Sequence, residues 1–314
     1  MLVYIKPLSM FPKIHSDRLF GAFLSVMSEI FPSKLDDVIN SFENNNPPFL
    51  ISSTFPVLFI DNEKKRFFPK IILNEKMSHE IDQSVIKDFK KVEYMEEDIF
   101  FDIIDAKLSQ EDILINYDKY IRISNLLMSK DYVKSLEVSK NIIPHNSINR
   151  LSNETEIFYN EGLVYGKHVG LFFYVEVFDE SYEPIIMSCL KFLKDRGLGK
   201  DISTGSGQFD YEIEDISLNF EDSIDLGDKF ITLSRFIPND EDLKHINNDA
   251  FYEISSKRSI DKSGDIRKQV NFFKEGSTFL HYKKFYGKIV NVGNVKPAIE
   301  YGYAFPIKYS CGDD

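Results

Sequence analysis

The stretch from residue 196 to 209, RGLGKDISTGSGQF, combines four glycines with basic and hydroxyl side chains. Glycine permits positive φ angles and the close approach of another backbone, and exposed N–H groups near a lysine suit phosphate oxygens. The pattern therefore predicts a loop that grips a polyanion. Its candidate contact residues are Arg196, Gly197, Gly199, Lys200, Ser203, Thr204, Gly205, Ser206 and Gly207.

Two familiar phosphate-binding loops are excluded by the spacing. A P-loop needs glycine five residues before its Gly-Lys pair and Ser or Thr after it, but Lys194 and Asp201 occupy those positions. A dinucleotide loop needs a third glycine where Ile202 stands, and it runs from a strand into a helix. A long flexible turn remains the alternative interpretation of the glycine content.

The order of elements around the loop is helix, loop, strand. Apolar residues recur at helical spacing through 183–194, and apolar and polar residues alternate through 209–216. Further upstream, 2–8 predicts a strand, and Ser16 or Asp17 could N-cap a helix. The buried stripe of that helix would consist of Leu19, Phe20, Phe23, Met27, Ile30 and Phe31.

Pro32 is the expected end of this helix. The segment 49–60 is strand-like, and Pro56 suggests an edge strand or a bulge. A strongly apolar strand is predicted over 170–178. Residues 61–150 have the character of a large insertion with short helices.

Without the insertion, the first part of the chain reads β-α-β-β-α-β, the ferredoxin-like pattern. A second unit begins near Phe230, with strands at 230–236, 250–256, 270–273, 285–292 and 301–309 and a short helix near Asn239. The sequence therefore predicts an α+β fold of two ferredoxin-like (RRM-like, βαββαβ) domains in tandem. The first would span 1–216, with an insertion at about 61–150, and the second, degenerate one would span 217–314.

Composition indicates a globular protein, since 43% of its 314 residues are hydrophobic and 28 are Phe. No apolar run approaches the about 18 residues of a membrane span, so no membrane partner is expected. The first residues lack a secretory apolar block, so a cytoplasmic location is expected. Cys189 and Cys311 offer neither a disulfide framework nor a metal site, and no cofactor is expected.

The net charge of −12 is unevenly distributed along the chain. Acidic residues concentrate in 88–118 and 210–228, whereas 257–288 has nine basic residues and three acidic ones. Because local potential decides where a phosphate backbone docks, an acidic protein can still present a basic face, to which Arg258 would contribute. Charges that only solubilise loops and edge strands are the alternative.

Five segments of the sequence resemble motifs of one family, the RAMP superfamily of CRISPR proteins. Within it, the chain is most similar to the fourth Csm subunit of type III-A effectors. The matching segments are HSDRLFGA at 15–22, HNSINR at 145–150, the glycine-rich loop, FKEGSTF at 273–279 and EYGYAF at 300–305. His145 and Asn149 depart from the family's R-N-x-I-D-R pattern.

The resemblance implies a non-catalytic RNA-binding subunit that holds the 5′ tag of the CRISPR RNA (crRNA). It also implies two protein partners, namely the large HD/palm-domain polymerase-like subunit and the RAMP backbone subunit. Within the matching motifs, His15, Ser16, Arg18 and Arg150 join the glycine-rich loop as candidate RNA contacts. No catalytic or metal-ligating residue is predicted.

Two other functions remain open at this stage. RAMP relatives include metal-independent endoribonucleases that process CRISPR RNA, and His15 could be a general base, although contact with the tag or orientation of the helix is favoured. Asp17 is interpreted as an N-cap rather than a catalytic carboxylate. The third function is an RRM-like protein-interaction scaffold that binds no RNA.

Overall fold

The computed structural model describes residues 1–60, 63–73, 81–130, 138–148, 155–199, 201–216, 229–247, 249–260, 264–294 and 297–309, and for 138–162 the backbone alone. The helices are α1 Ser16–Ile30, α2 Pro32–Glu43, α3 Gln83–Phe89, α4 Glu97–Ile104, α5 Gln110–Ile115, α6 Glu183–Arg196 and α7 Asp240–Lys244.

The strands as far as the glycine-rich loop are β1 Leu2–Pro7, β2 Phe49–Ile51, β3 Phe55–Ile60, β4 Glu63–Pro69, β5 Tyr94–Glu96, β6 Tyr120–Ile123, β7 Leu126–Ser129, β8 Val138–Ile148, β9 Thr155–Tyr165 and β10 Val169–Val177. Those after the loop are β11 Phe209–Glu214, β12 Lys229–Thr232, β13 Ile254–Lys257, β14 Val270–Phe273, β15 Thr278–Leu280, β16 Val290–Asn291, β17 Ile299–Glu300 and β18 Pro306–Tyr309.

A mixed sheet of nine strands organises the N-terminal part of the chain. Its order is β11-β1-β10-β3-β4-β5-β7-β6, and β2 pairs with β10 beside β3. Strand β1 is internal, antiparallel to β10 on one side and to the edge strand β11 on the other. The four residues Leu2 to Ile5 are all buried, as expected for a strand covered on both faces.

Helices α1 and α6 pack against each other and share the core of this sheet. The predicted stripe of α1 is buried at Leu19, Phe20, Phe23 and Met27, while Ile30 is 42% exposed because the helix ends there. Helix α1 ends at Ile30, two residues before the predicted end at Pro32, and Pro32 begins the next helix. It occupies the first turn of α2, where its missing N–H costs nothing.

The predicted insertion extends the sheet rather than forming a separate body. Strand β4 pairs with β3, and β5, β7 and β6 continue from it. Strands β8 and β9 form a separate antiparallel hairpin that pairs Val138 with Tyr165 and Ile148 with Thr155.

The strand predicted over 49–60 is interrupted at Ser52–Thr54, which separates β2 from β3. Pro56 is not on an edge strand, because β3 lies between β10 and β4 and Pro56 pairs with Leu171. The interruption itself receives the C-terminal part of the chain, since the Ser53 N–H donates to the carbonyl of Leu233 (2.8 Å).

Small sheets make up the C-terminal part, including β15-β12-β18 and the hairpin β13-β14. Its described residues include one short helix, α7, N-capped by Asn239 near the predicted position. The α+β class is confirmed by the large mixed sheet, whereas the tandem of ferredoxin-like domains stays a prediction. The predicted boundary at 216/217 adjoins 217–228, which lie outside the described residues.

The two parts of the chain share one hydrophobic core. Tyr301 and Tyr303, both fully buried, lie in the cluster that contains α1 and the central strands. The N–H of Ile51 donates to the Tyr301 hydroxyl (3.1 Å), and the Tyr303 hydroxyl donates to the carbonyl of Phe42 (2.5 Å). The segment EYGYAF at 300–305 is therefore the seam of the molecule, the stretch through which the C-terminal part packs into the core of the large sheet.

Replacing Tyr301 with Phe tests this seam. We expect Tyr301→Phe to lower the free energy of unfolding by about 1–3 kcal/mol, because the buried N–H of Ile51 loses its acceptor. Urea denaturation measures the change. Tyr252→Phe is the matched control, since the Tyr252 side chain is 40% exposed and should tolerate the loss of its hydroxyl. Equal stability of the two variants would contradict this role for Tyr301.

Candidate nucleic-acid interface

Two buried glycines fix the ends of the glycine-rich loop. Gly197 follows α6 with φ 93°, and Gly207 precedes β11 with φ 77°. The Leu198 N–H donates to the Gly207 carbonyl (2.9 Å), so the two ends of the loop are joined directly. A Cβ at Gly207 would overlap the carbonyl oxygen of Leu198, which explains why glycine is required there.

The middle of the loop projects into solvent. Ser203, Thr204 and Gly205 are exposed, and a 3₁₀ turn at Ile202–Thr204 shapes this arc. Gly205 has φ 89° and nothing within 4 Å of the position a Cβ would take. The open space around Gly205 leaves room for another molecule to approach the backbone.

The base of the loop rests on the segment between β1 and α1. The Gly207 N–H donates to the carbonyl of Met10 (2.8 Å), and the Gln208 N–H donates to the Ser9 hydroxyl (2.9 Å). A Cβ at Gly199 would lie 2.8 Å from Pro12 Cγ. The same segment continues into His15, so the loop and the HSDR motif lie at neighbouring positions.

His15 contacts the C-terminal part of the chain. Its Nδ1 lies 2.7 Å from Glu275 Oε1, which also accepts a hydrogen bond from the Ser53 hydroxyl (2.5 Å). Burial alone would raise the pKa of Glu275, but the hydrogen bonds of His15 and Ser53 and the charge of Arg235 lower it to about 2. The carboxylate is therefore ionised, and His15 Nδ1–H is the donor.

Asp17 is the centre of a buried ion cluster and is not an N-cap. The N-cap position of α1 is His15, which makes no side-chain cap hydrogen bond. Asp17 instead pairs with Arg235 (3.1 Å) and Lys257, and Lys257 also pairs with Glu300.

The charges of this cluster shift both carboxyl groups. Burial alone would raise the pKa of Asp17, but Arg235 and Lys257 hold it well below its usual range. Burial and the neighbouring Asp17 raise the pKa of Glu300 to about 6. One carboxylate of α1 thus holds two cations from the C-terminal part of the chain.

Ser16 is also internal. Its backbone N–H donates to the Ser53 hydroxyl (2.9 Å), and its own hydroxyl accepts from the N–H of Arg235 (3.1 Å). A fully buried hydroxyl cannot contact RNA, so Ser16 supports the start of α1 instead. The neighbouring Arg18 is exposed and remains a candidate contact.

The remaining predicted residues are not all brought together. Arg196 pairs with Glu29 (2.5 Å), 11 residues or about 16 Å along α1 from Arg18. Arg258 is exposed and directly follows Lys257, whose side chain reaches Asp17. Arg150 and Lys200 lie outside the described residues.

A cavity of about 580 Å³ between the two parts of the chain was not predicted from the sequence. Its wall includes His15, Glu275 and five Lys or Arg side chains: Lys13, Lys70, Lys90, Arg235 and Lys274. Of the residues that line the cavity, only His15 and those of the KEGST segment at 274–278 belong to motifs recognised in the sequence.

Across the described ranges, no group of three His, Cys, Asp or Glu residues is placed to hold a metal ion. No helix of the described chain is long and apolar enough to cross a membrane.

The α+β fold, the glycine-rich loop after a helix and the HSDR motif at the start of α1 agree with the resemblance of the sequence to RAMP proteins. Residues 225–309 match the family described as "CRISPR Csm4 C-terminal domain". The chain is 29% identical over 303 residues to "CRISPR system Cms protein Csm4" of Streptococcus thermophilus, covering 93% of this chain and 89% of the relative. The resemblance to Csm4 that the motifs predicted is thereby confirmed.

Solved structures share the fold over the whole chain. A chain of the crystal structure of the Csm3-Csm4 subcomplex of the type III-A CRISPR-Cas interference complex matches with a TM-score of 0.68 and 18% identity, covering 99% of both chains. A chain of the Csm1-Csm4 cassette in complex with cA4 matches with a TM-score of 0.57 and 15% identity, covering 100% of this chain and 98% of that one.

Two glycines of the loop should respond differently to substitution. We expect Gly207→Ala to lower the free energy of unfolding by more than about 2 kcal/mol, because the left-handed backbone costs about 1–2 kcal/mol and the Cβ overlaps Leu198. Gly205→Ala should cost only the backbone contribution, since the space around it is open. Thermal and urea denaturation of both variants measure the difference, and equal losses would contradict the division of the loop into fixed ends and an open arc.

The His15–Glu275 pair predicts a specific acid sensitivity. The folded pKa of Glu275, about 2, is below its ordinary value of 4.5, so its stabilisation is complete above pH 4.5 and is lost as pH falls toward 2. The full contribution is of the order of 3 kcal/mol. Urea denaturation from pH 6 to pH 3 should show a smaller loss for Glu275→Gln than for the wild type. Glu253→Gln, at a more exposed carboxylate, is the control and should follow the wild type.

Proposed function

We propose that this chain is a non-catalytic RNA-binding subunit of a type III-A CRISPR effector, which holds the 5′ tag of the crRNA. The observation that carries the proposal is the exposed arc at Ser203–Gly205, held at both ends by buried glycines in a chain that resembles Csm4. A fixed arc that exposes the Ser203 hydroxyl and leaves open space beside Gly205 suits the sugar-phosphate backbone of a single strand, because it requires little ordering on binding.

Two protein partners follow from the solved relatives. Relatives named Csm4 have been solved with Csm3 and with Csm1. We assign this chain the same position, between a RAMP backbone subunit and a large polymerase-like subunit, in the cytoplasm. Two tandem ferredoxin-like domains are the finer fold description that accompanies this assignment.

The basic residues that remain exposed are the natural RNA contacts. Three lysines of the basic stretch 257–288 are occupied by carboxylates of the chain itself: Lys257, Lys274 and Lys283. Arg18 and Arg258 have no carboxylate partner among the described residues and are exposed. They therefore offer charge to phosphates without breaking an internal ion pair.

The RNA-binding proposal is tested with an eight-nucleotide single-stranded RNA and the purified chain. Arg18→Glu and Arg258→Glu should each weaken binding and reduce the slope of log affinity against log salt by about 0.7, the value for one phosphate contact on a single strand. Fluorescence anisotropy at several salt concentrations measures both quantities. Lys191→Glu, an exposed position on α6, is the control and should bind as the wild type does. Absence of RNA binding by the wild type would favour a scaffold that binds no RNA.

The His15–Glu275 pair favours one second candidate function, a metal-independent endoribonuclease. A histidine oriented by a carboxylate and facing a cationic cavity has the arrangement of a general base. Incubation of repeat RNA with the chain in EDTA separates the two functions, because the RNA-binding subunit leaves the RNA intact. His15→Gln is the informative variant, since the amide can still donate to Glu275 but cannot transfer a proton.

A further inference from the structure

Both parts of the chain contribute segments to the wall of the cavity. The N-terminal part contributes the end of β4 with the residues after it, 69–73, and the segment 90–94. The C-terminal part contributes 253–255 and 272–275, and the start of α1 closes one side. Its volume of about 580 Å³ lies within the range of small-molecule sites.

Every carboxylate in the wall already has a cationic partner within the chain. The pairs are Glu93 with Lys13 (3.4 Å), Glu253 with Lys274 (2.8 Å) and Glu275 with His15 (2.7 Å). Lys70 and Lys90 are different, because neither has a carboxylate partner among the described residues, and they lie close enough for their charges to repel. The wall therefore presents two cations that form no ion pair with a described carboxylate.

Lys70 is held in this position at a cost in stability. Its Nζ donates to the carbonyl of Phe89 (2.9 Å) and lies 3.8 Å from the centroid of the Phe89 ring. Burial lowers the pKa of Lys70 to about 8, Glu253 opposes this effect, and Lys90 adds to it. A partly buried ammonium without a counter-ion is unfavourable for the folded chain alone, and an anion placed between Lys70 and Lys90 would relieve this.

The rest of the wall suits a flat, partly polar ring. Ile72, Leu73 and Val92 provide apolar surface next to Lys70, and the amide of Gln110 and the hydroxyl of Ser255 provide hydrogen-bonding groups. Gln110 is fixed in place because its Nε2 donates to the carbonyl of Ile71 (2.7 Å). A phosphate site beside an apolar surface with a few polar groups is the arrangement that recognises a nucleotide.

We propose that this cavity binds one nucleoside monophosphate unit, with its phosphate between Lys70 and Lys90 and its base against Ile72 and Leu73. The unit can come from a free nucleotide or from one nucleotide of an RNA strand, since both present the same groups. This inference does not depend on the RNA-binding function proposed above, because a free nucleotide is sufficient to probe the cavity.

Isothermal titration calorimetry of the full chain with 5′-AMP tests the proposal. Lys90→Met and Lys70→Met should each weaken AMP binding by about tenfold or more, the loss of one charge-assisted hydrogen bond. Adenosine and inorganic phosphate should each bind more weakly than AMP. Lys191→Met, an exposed lysine on α6, should bind AMP as the wild type does. Because Lys90 is exposed, its substitution leaves the fold intact, and Lys70→Met should not lower the melting temperature.

Three results decide the proposal and the source of the ligand. Failure of the wild type to bind AMP, or equal binding by the wild type and Lys90→Met, would overturn it. If AMP binding depends on both lysines, displacement of AMP by the eight-nucleotide RNA assigns the site to a nucleotide of an RNA strand. Lack of displacement assigns it to a free nucleotide. RNA binding that depends on Arg18 but not on Lys70 or Lys90, without AMP binding, would remove the cavity and leave the RNA-binding function standing.

Discussion

The ion cluster around Asp17 is the constraint on which the relation between the two parts of this chain depends. A buried carboxylate at the start of α1 must be compensated, and Arg235 and Lys257 of the C-terminal part compensate it. Removing any one member would leave an uncompensated buried charge. The two parts therefore dock in one arrangement, which places Glu275 against His15 and opens the cavity beside them.

Apolar packing holds the two parts of the chain together, and the ion cluster fixes their relative orientation. Tyr301 and Tyr303 enter the core of the large sheet, and at the break between β2 and β3 the Ser53 N–H donates to the carbonyl of Leu233. Hydrophobic burial is not directional, whereas hydrogen bonds and ion pairs depend on geometry. The seam thus combines non-directional burial with a small number of directional contacts at the start of α1.

The glycine-rich loop shows how one motif can combine two roles. Gly197 and Gly207 are required by the fold, because they close the loop onto itself and onto the segment before α1. A Cβ at Gly205 would meet no other atom within 4 Å, so the positive φ of Gly205 serves the exposed arc and not a close approach within the chain. Spacing in the sequence does not separate these roles, since all three residues have positive φ angles and only their surroundings differ.

The sequence by itself determined the local elements and the family resemblance, because hydrophobic periodicity, glycine placement and short motifs are properties of neighbouring residues. Strand β1, helices α1 and α6 and the loop between α6 and β11 were predicted close to their observed bounds. Only the tertiary structure decided what Asp17, Ser16 and Lys70 contact, because their partners are distant in the chain or depend on how the parts dock. A cap and a buried ion pair use the same residue types, so burial, which no local pattern reports, distinguishes them.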